Sequence, residues 1–213
     1  MSKAIFVTGT DTGVGKTFVT TELIKALKES GLSAGGFKAI ECGGREDSEA
    51  ILAAIDDPEL TLDEVNPLSF DVEAAPIANP EGEAIDFEEL RAAFEKLQAK
   101  YDVVLVEGIG GWLAPLDANR TMADFAKMLG LPVMLVAGNR LGVLNHSLLT
   151  LAAIKSAGLE CRHTIFNAVP GGYSEDVSKQ TNRLSLEKVC PDLSIGSTFE
   201  TDWAALAREL FNL

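Results

Sequence analysis

The residues best suited to chemistry lie near the start of the chain, in Gly9-Thr10-Asp11-Thr12-Gly13-Val14-Gly15-Lys16-Thr17. Ala4–Thr8 before them is short and apolar, as a buried strand is. Thr17–Glu29 after them sets Phe18, Leu23, Ile24 and Leu27 at helical spacing. A glycine-rich turn between a strand and a helix offers backbone N–H groups to an anion, and the helix N-terminus adds partial positive charge. Lys16 can reach the outer phosphates of a nucleoside triphosphate, and the Thr17 hydroxyl can ligate Mg²⁺. The spacing departs from G-x-x-x-x-G-K-[ST] by one position. The first glycine of that pattern would fall at Thr10 and stands instead at Gly9, so the loop is one residue longer.

Further polar groups fall at the ends of apolar runs. Val103-Val104-Leu105-Val106 reads as a strand covered on both faces, and Glu107 ends it just before Gly108-Ile109-Gly110-Gly111-Trp112. A carboxylate there can share the Mg²⁺ held by Thr17 and the phosphates. Lys38 closes a second apolar run, where it either snorkels or neutralises a transferring phosphoryl group. Asp47 and Glu49 are two more candidate metal ligands. Asp47 is preferred, because Ile51 then falls one helical turn later, facing the core.

Positioning these groups takes parallel strands joined by helical crossovers. The pattern gives strands at Ala4–Thr8, Ala34–Ile40, Val103–Val106, Pro132–Val136, His163–Phe166 and Leu193–Ile195. It gives helices at Thr17–Glu29, 47–55, Phe87–Ala99, Met122–Leu129, Asn145–Ala157, Ser174–Val189 and Asp202–Phe211. Asp47 or Ser48 caps the second helix, and residues 56–84 read mostly as irregular structure. The expected fold is α/β, three layers with a mostly parallel central sheet flanked by helices. Its ligands lie at the carboxyl ends of the strands, where the polar and glycine-rich segments sit.

The 213 residues suit one domain spanning 1–213, with 46% hydrophobic and 23% charged residues and a net charge of −14. Such acidity argues against nucleic-acid or anionic-membrane partners, so any anion site is a local exception. Cys42, Cys161 and Cys190 show no CxxC spacing and read as reduced thiols of a cytoplasmic protein. No signal-peptide pattern and no membrane-length apolar run is present.

Taken together, these segments resemble the dethiobiotin synthetase family. The loop Gly9–Thr17 is similar to that family's own longer phosphate loop. Lys38 falls at its catalytic lysine, and Val106–Trp112 resembles VEGxGGW. Leu141-Gly142-Val143-Leu144-Asn145-His146 resembles LGxxNH, and Asn167 matches an asparagine that reads the nucleotide base. The resemblance implies a P-loop NTPase fold and an ATP- and Mg²⁺-dependent cyclo-ligase. CO₂ and the vicinal diamine 7,8-diaminononanoate then form the ureido ring of dethiobiotin through a carbamate and a carbamic-phosphoric anhydride. By resemblance Lys16, Lys38 and Thr12 are catalytic. Gly13, Val14, Gly15, Lys16, Thr17, Phe18, Asp47, Glu107, Gly108, Gly110 and Asn167 hold the nucleotide, and Thr17, Asp47 and Glu107 hold Mg²⁺. Thr12, Lys38, Cys42, Gly142, Val143, Leu144 and Asn145 contact substrate, the last four from the other subunit of a homodimer.

The chain departs from the family at Lys38-Ala39-Ile40-Glu41-Cys42-Gly43, where K-P-V-x-[ST]-G is usual. Cys42 replaces a hydroxyl with a weaker donor, and Glu41 adds negative charge beside the site. These differences leave a related amidoligase or synthetase acting on another amine as an alternative. A partition-type switch ATPase is a further one, although Asp11 stands where such proteins carry a second lysine.

Overall fold

The structure is a computed structural model that describes residues 3–79, 85–169 and 177–213. Its first half runs β1 (Lys3–Gly9), α1 (Lys16–Glu29), β2 (Ala34–Lys38), β3 (Ile40–Cys42), α2 (Glu46–Ile55), α3 (Leu62–Val65), β4 (Leu68–Phe70) and α4 (Phe87–Gln98). The second half runs β5 (Val103–Glu107), α5 (Met122–Leu129), β6 (Val133–Gly138), α6 (Val143–Ser156), β7 (Cys161–Asn167), α7 (Ser178–Val189), β8 (Ser194–Ser197) and α8 (Trp203–Phe211).

Six strands form one sheet in the order β2-β5-β1-β6-β7-β8, with every pairing parallel. Central strands buried on both faces read as unbroken apolar runs, and Ile5–Val7, Val103–Val106 and Val133–Val136 are all buried. Each such side chain contributes on the order of 1.5–3 kcal/mol when fully buried. Helix α1 turns Val19, Leu23, Ile24 and Leu27 inward and packs against α2 and α8. Gly36 in β2 permits the closest of these approaches, since a Cβ there would stand 2.4 Å from Ile51 Cγ2 and 2.9 Å from Ile24 Cδ1.

Two expectations need correction. The strand expected over Ala34–Ile40 breaks at Ala39. Ala34–Lys38 stays in the main sheet, whereas Ile40–Cys42 pairs with Leu68–Phe70 in a separate two-stranded sheet. Asn66 holds the break open, its Nδ2 donating to the carbonyls of Lys38 (2.7 Å) and Leu68 (2.9 Å). Of residues 56–84, residues 56–79 are described and lie mostly outside regular elements, as expected; they hold α3, β4 and a short 3-10 turn at Pro76–Ala78, with Thr61 and Glu64 forming a capping box. Helix α6 starts at Val143, two residues earlier than expected, with Gly142 as its N-cap. Of the helix expected over Ser174–Val189, residues 174–176 lie outside the described residues.

His163 is buried between β7 and β8, away from the strands' carboxyl ends. Its Nδ1 lies 2.9 Å from Ser194 Oγ, and its Nε2 has no hydrogen-bond partner among the described residues. Burial holds the imidazole down at about 4, against the opposing pull of Glu209. The folded state therefore keeps it neutral, while the unfolded chain takes up a proton below about 6.5. This contribution is complete above about pH 6.5 and drains away as pH falls toward 4. A His163→Gln variant should flatten the pH dependence of urea-unfolding free energy over that window by about 3 kcal/mol. An unchanged slope would contradict the assignment.

Candidate active site

The carboxyl ends of β1, β2 and β5 bring the chemical groups together through parallel register. Lys38 is the register partner of Glu107 across β2 and β5, and Val7 is the partner of Glu107 across β1 and β5. Two neighbouring strands thus end in opposite charges beside the strand that opens the phosphate loop. Lys38 Nζ donates to Glu107 Oε1 at 2.5 Å, with side-chain exposures of 2% and 0%. Thr17 Oγ1 donates to the same oxygen at 2.9 Å. Asp47 Oδ2 accepts from Lys38 at 2.8 Å.

A buried ammonium is tolerable only with such partners. Burial alone would lower the Lys38 pKa, but Glu107 and Asp47 outweigh it and hold the group above the usual lysine range. Asp47 shows the converse: burial would raise it, and the Lys38 charge keeps it below the usual carboxylate range. Among the described residues Lys16 makes no direct ion pair, and the nearby carboxylates Glu107, Asp47 and Asp11 raise it less than burial lowers it. Burial, and then the Lys38 charge, bring it down to about 8, and its Nζ reaches the Asp11 carbonyl at 3.4 Å.

The phosphate loop is clasped from the far side of β1. Asn167, at the end of β7, donates from Nδ2 to the Val14 carbonyl at 3.0 Å and accepts at Oδ1 from Thr198 Oγ1 at 2.9 Å. Gly15 lies so close that a Cβ would stand 2.0 Å from Asn167 Nδ2, and its φ of +89° is one that side-chain-bearing residues rarely adopt. Val14 is buried, whereas Phe18 is exposed. Thr12 sits beside the turn after β5, where a Cβ on Gly110 would lie 3.7 Å from its Oγ1. Gly108 faces inward instead, against Phe6 and Met122.

Other nominated residues stand elsewhere. Gly142, Val143, Leu144 and Asn145 form the N-cap and first turn of α6. They connect to the loop through Arg140, whose Nη2 donates to Asp11 Oδ2 at 3.0 Å. The Val143 side chain is buried, and its N–H donates to the Arg140 carbonyl at 3.1 Å. Cys42 ends β3, partly buried against the core. Burial, then the neighbouring Glu41 charge, push its thiol up to about 11, which suits a packed thiol and not a nucleophile. Glu49 is exposed, so Asp47 is the acid that the start of α2 brings to Lys38.

Sequence reasoning misassigned Glu41. It is buried and turned onto the N-terminus of α2, where its Oε1 accepts from Asp47 N at 2.8 Å and its Oε2 from Ser48 N at 3.1 Å. The Ser48 hydroxyl donates to Oε2 as well. Neither Asp47 nor Ser48 caps this helix; a carboxylate from the preceding strand does, and favourably so at a helix N-terminus. Cap patterns are local, and a cap lent by another element leaves no such signal.

The residues suit a triphosphate with a divalent cation. Glu107 Oε2 is buried without a hydrogen-bond partner among the described residues, an acceptor a cation would satisfy. No cluster of three or more His, Cys, Asp or Glu able to hold a metal occurs among the described residues. Two carboxylates and a threonine hydroxyl are nevertheless the kind of sparse set Mg²⁺ uses when phosphates and water complete its shell.

A family model described as an AAA domain matches residues 3–192. The ATP-dependent dethiobiotin synthetase BioD of Akkermansia muciniphila is 43% identical over 184 residues, 85% of either chain. That of Methanocaldococcus jannaschii is 37% identical over 219 residues, covering 96% of this chain and all of its own. The chain belongs to the ATP-dependent dethiobiotin synthetase family. Its fold is shared more widely. The septum site-determining protein MinD of Pyrococcus horikoshii, solved with Mg-ADP, aligns with a TM-score of 0.55 at 18% identity over 99% of this chain and 94% of its own. A chain of the MinC:MinD cell division protein complex of Aquifex aeolicus aligns with 0.56 at 16% identity, over 97% and 86%. These likenesses concern the fold alone. Among the described residues no helix is long and apolar enough to cross a membrane.

In this dethiobiotin synthetase family member, placing Asp47 depends on Glu41. Glu41→Ala should lower stability by about 1–3 kcal/mol in chemical denaturation, since it strips the anchor from two backbone N–H groups. Wild-type stability in that variant would show the cap to be dispensable.

Proposed function

We propose that the chain forms dethiobiotin from 7,8-diaminononanoate, CO₂ and ATP. The observation that carries this reading is the buried Lys38–Glu107 pair, held with Thr17 and Asp47 at the mouth of a phosphate loop in a member of this family. One substrate amine takes up CO₂ as a carbamate. A carbamate oxygen attacks the γ-phosphorus of ATP and ADP leaves. The second amine then attacks the carbon of the carbamic-phosphoric anhydride, expels phosphate and closes the cyclic urea. Such chemistry asks a protein mainly for positioning and for charge where negative charge develops.

Lys16 and Lys38 supply that positive charge. Thr12 steadies the carbamate from beside Gly110. Gly13, Val14, Gly15, Thr17 and Phe18 hold the nucleotide, with Gly108 and Gly110 shaping the facing turn and Asn167 behind the loop. Thr17, Asp47 and Glu107 would hold Mg²⁺, which when bound neutralises phosphate charge. Lys38 already bridges the two carboxylates, so its ammonium stays beside the transferring group. Cys42 contributes a polarisable wall and no strong hydrogen bond.

The substrate carboxylate is received at the start of α6, at Gly142, Leu144 and Asn145, from the other subunit of a homodimer. Exposed apolar side chains support this arrangement. Leu113 and Leu149 are exposed and line a cleft of about 400 Å³ shared with Asp11, Trp112 and His146, next to the phosphate loop. Apolar patches beside a polar site are a common mark of an interface.

Incubation with the diamine, bicarbonate, Mg²⁺ and ATP should yield dethiobiotin by mass spectrometry. Lys38→Ala should lower kcat by about 10²-fold or more while ATP still binds. ATP hydrolysis indifferent to the diamine, with no product, would overturn the reading. The dimer has its own test. Lys38→Ala and Asn145→Glu, each inactive alone, should recover about a quarter of wild-type activity when subunits are mixed, because one site in each heterodimer is intact. No recovery after verified subunit exchange would place both groups in one subunit's site.

A further inference from the structure

Asp47 reaches the site from the first turn of α2, so the placement of that turn decides where its carboxylate stands. The second and third N–H groups of a helix ordinarily donate to the side chain of the N-cap residue. In α2 these are the N–H groups of Asp47 and Ser48, and the N-cap residue is Arg45, whose guanidinium carries only donors. Arg45 points to α3 instead. It donates to Asn66 Oδ1 at 3.0 Å, to the Asn66 carbonyl at 2.6 Å and to Asp63 Oδ1 at 2.7 Å. Glu41 takes the place of the cap, one carboxylate oxygen for each N–H, with the Ser48 hydroxyl as a third donor.

These contacts close a frame around Lys38. Asn66, which accepts from Arg45, donates to the Lys38 carbonyl at 2.7 Å. Asp47 accepts from the Lys38 ammonium at 2.8 Å. Lys38 is therefore held at its backbone and at its side-chain end by groups that both lead back to the start of α2. Glu41, three residues beyond Lys38 and only 5% exposed, ties that start to the strand. Groups that orient a metal ligand from behind shape metal affinity nearly as much as the ligand does.

We propose that Glu41 is a positioning residue for Mg²⁺: it fixes the Asp47 carboxylate beside Lys38 and Glu107, and so sets how far Mg²⁺ strengthens ATP binding. The inference rests on the ATP- and Mg²⁺-dependent reading above. Both Glu41 oxygens are engaged by α2, so its effect passes through Asp47 and not through a contact of its own with the ligands.

Calorimetric titration of the full chain with ATP, once with Mg²⁺ and once with EDTA, tests this. Glu41→Ala should cut the Mg²⁺-dependent gain in ATP affinity by about 10-fold or more and leave affinity in EDTA within about twofold, as loss of a group orienting a metal ligand does. Glu41→Gln keeps the side-chain length and one acceptor. It should show a smaller loss in the same direction, and it carries the test where Glu41→Ala fails to fold. Asp47→Asn should remove the Mg²⁺ response, and adding Glu41→Gln to it should remove no more, because the two residues act in series. A full Mg²⁺ response in folded Glu41→Ala or Glu41→Gln would overturn the assignment while leaving the Mg²⁺-dependent reading intact. So would equal losses with Mg²⁺ and with EDTA, or additive losses in the double variant. A wild-type chain whose ATP affinity ignored Mg²⁺ would overturn that reading, and the assignment with it.

Discussion

Two opposite charges buried on adjacent parallel strands constrain much of this molecule. Lys38 and Glu107 are register partners, and both side chains are almost wholly withdrawn from water. Removing either alone leaves an uncompensated buried charge, a change that typically costs about 3–5 kcal/mol. The pair is sustained because neighbouring elements supply further partners. Thr17 comes from the phosphate helix and Asp47 from α2. Asp47 reaches Lys38 because Glu41 anchors the start of α2, and Glu41 can turn there because the chain leaves the main sheet after Lys38. Asn66 secures that departure by binding the Lys38 carbonyl. A break in one strand, a short second sheet and a borrowed helix cap thus serve one pair of charges.

The pair also explains how an acidic chain keeps a site for polyanions. The net charge is −14, yet the mouth of the phosphate loop gathers Lys16, Lys38 and the N-terminus of α1. Glu107 and Asp47 offset part of this positive charge, so the cluster is close to balanced before any phosphate arrives. Lys16 lies at the unbalanced edge, which is why burial and Lys38 depress it while the more deeply buried Lys38 is raised. Charge paired with carboxylates is retained in place, and the less satisfied charge faces the incoming anion. The free Oε2 of Glu107 extends the same logic to a cation.

The parts legible in the sequence are those written in local rules. The strands β1, β5 and β6 appear as unbroken apolar runs, and α1 and α4 as helical periodicity with defined starts. The loop Gly9–Thr17 is legible because its function requires contiguous residues. Lys38 and Glu107 could be nominated as strand-end polar groups, but their contact depends on β2 lying beside β5, and strand order is not a local property. Glu41 was unreadable for the same reason: its partners are the N–H groups of an element it does not belong to. The break at Ala39 left no glycine or proline to mark it, because a side chain distant in sequence, Asn66, enforces it.

The longer phosphate loop gains a physical meaning from Asp11. Its Oδ1 accepts from Thr12 N at 2.8 Å, and its Oδ2 accepts from Arg140 at 3.0 Å. This ion pair is exposed on both sides, so its contribution to stability is small, of order 0–1 kcal/mol. Its geometric effect is larger. Arg140 opens the turn into α6, and its carbonyl and neighbouring Asn139 are held by Asn182 from α7. The Asn139 N–H binds the carbonyl of Asn167, the residue that clasps Val14 and borders Gly15. The phosphate loop is therefore braced on two sides by one polar network that also sets the start of α6. A loop of the usual length would have one residue fewer with which to hold Thr12 toward Gly110 and still turn Asp11 toward Arg140. The extra residue lets the anion-binding segment and the start of α6 be positioned by the same contacts.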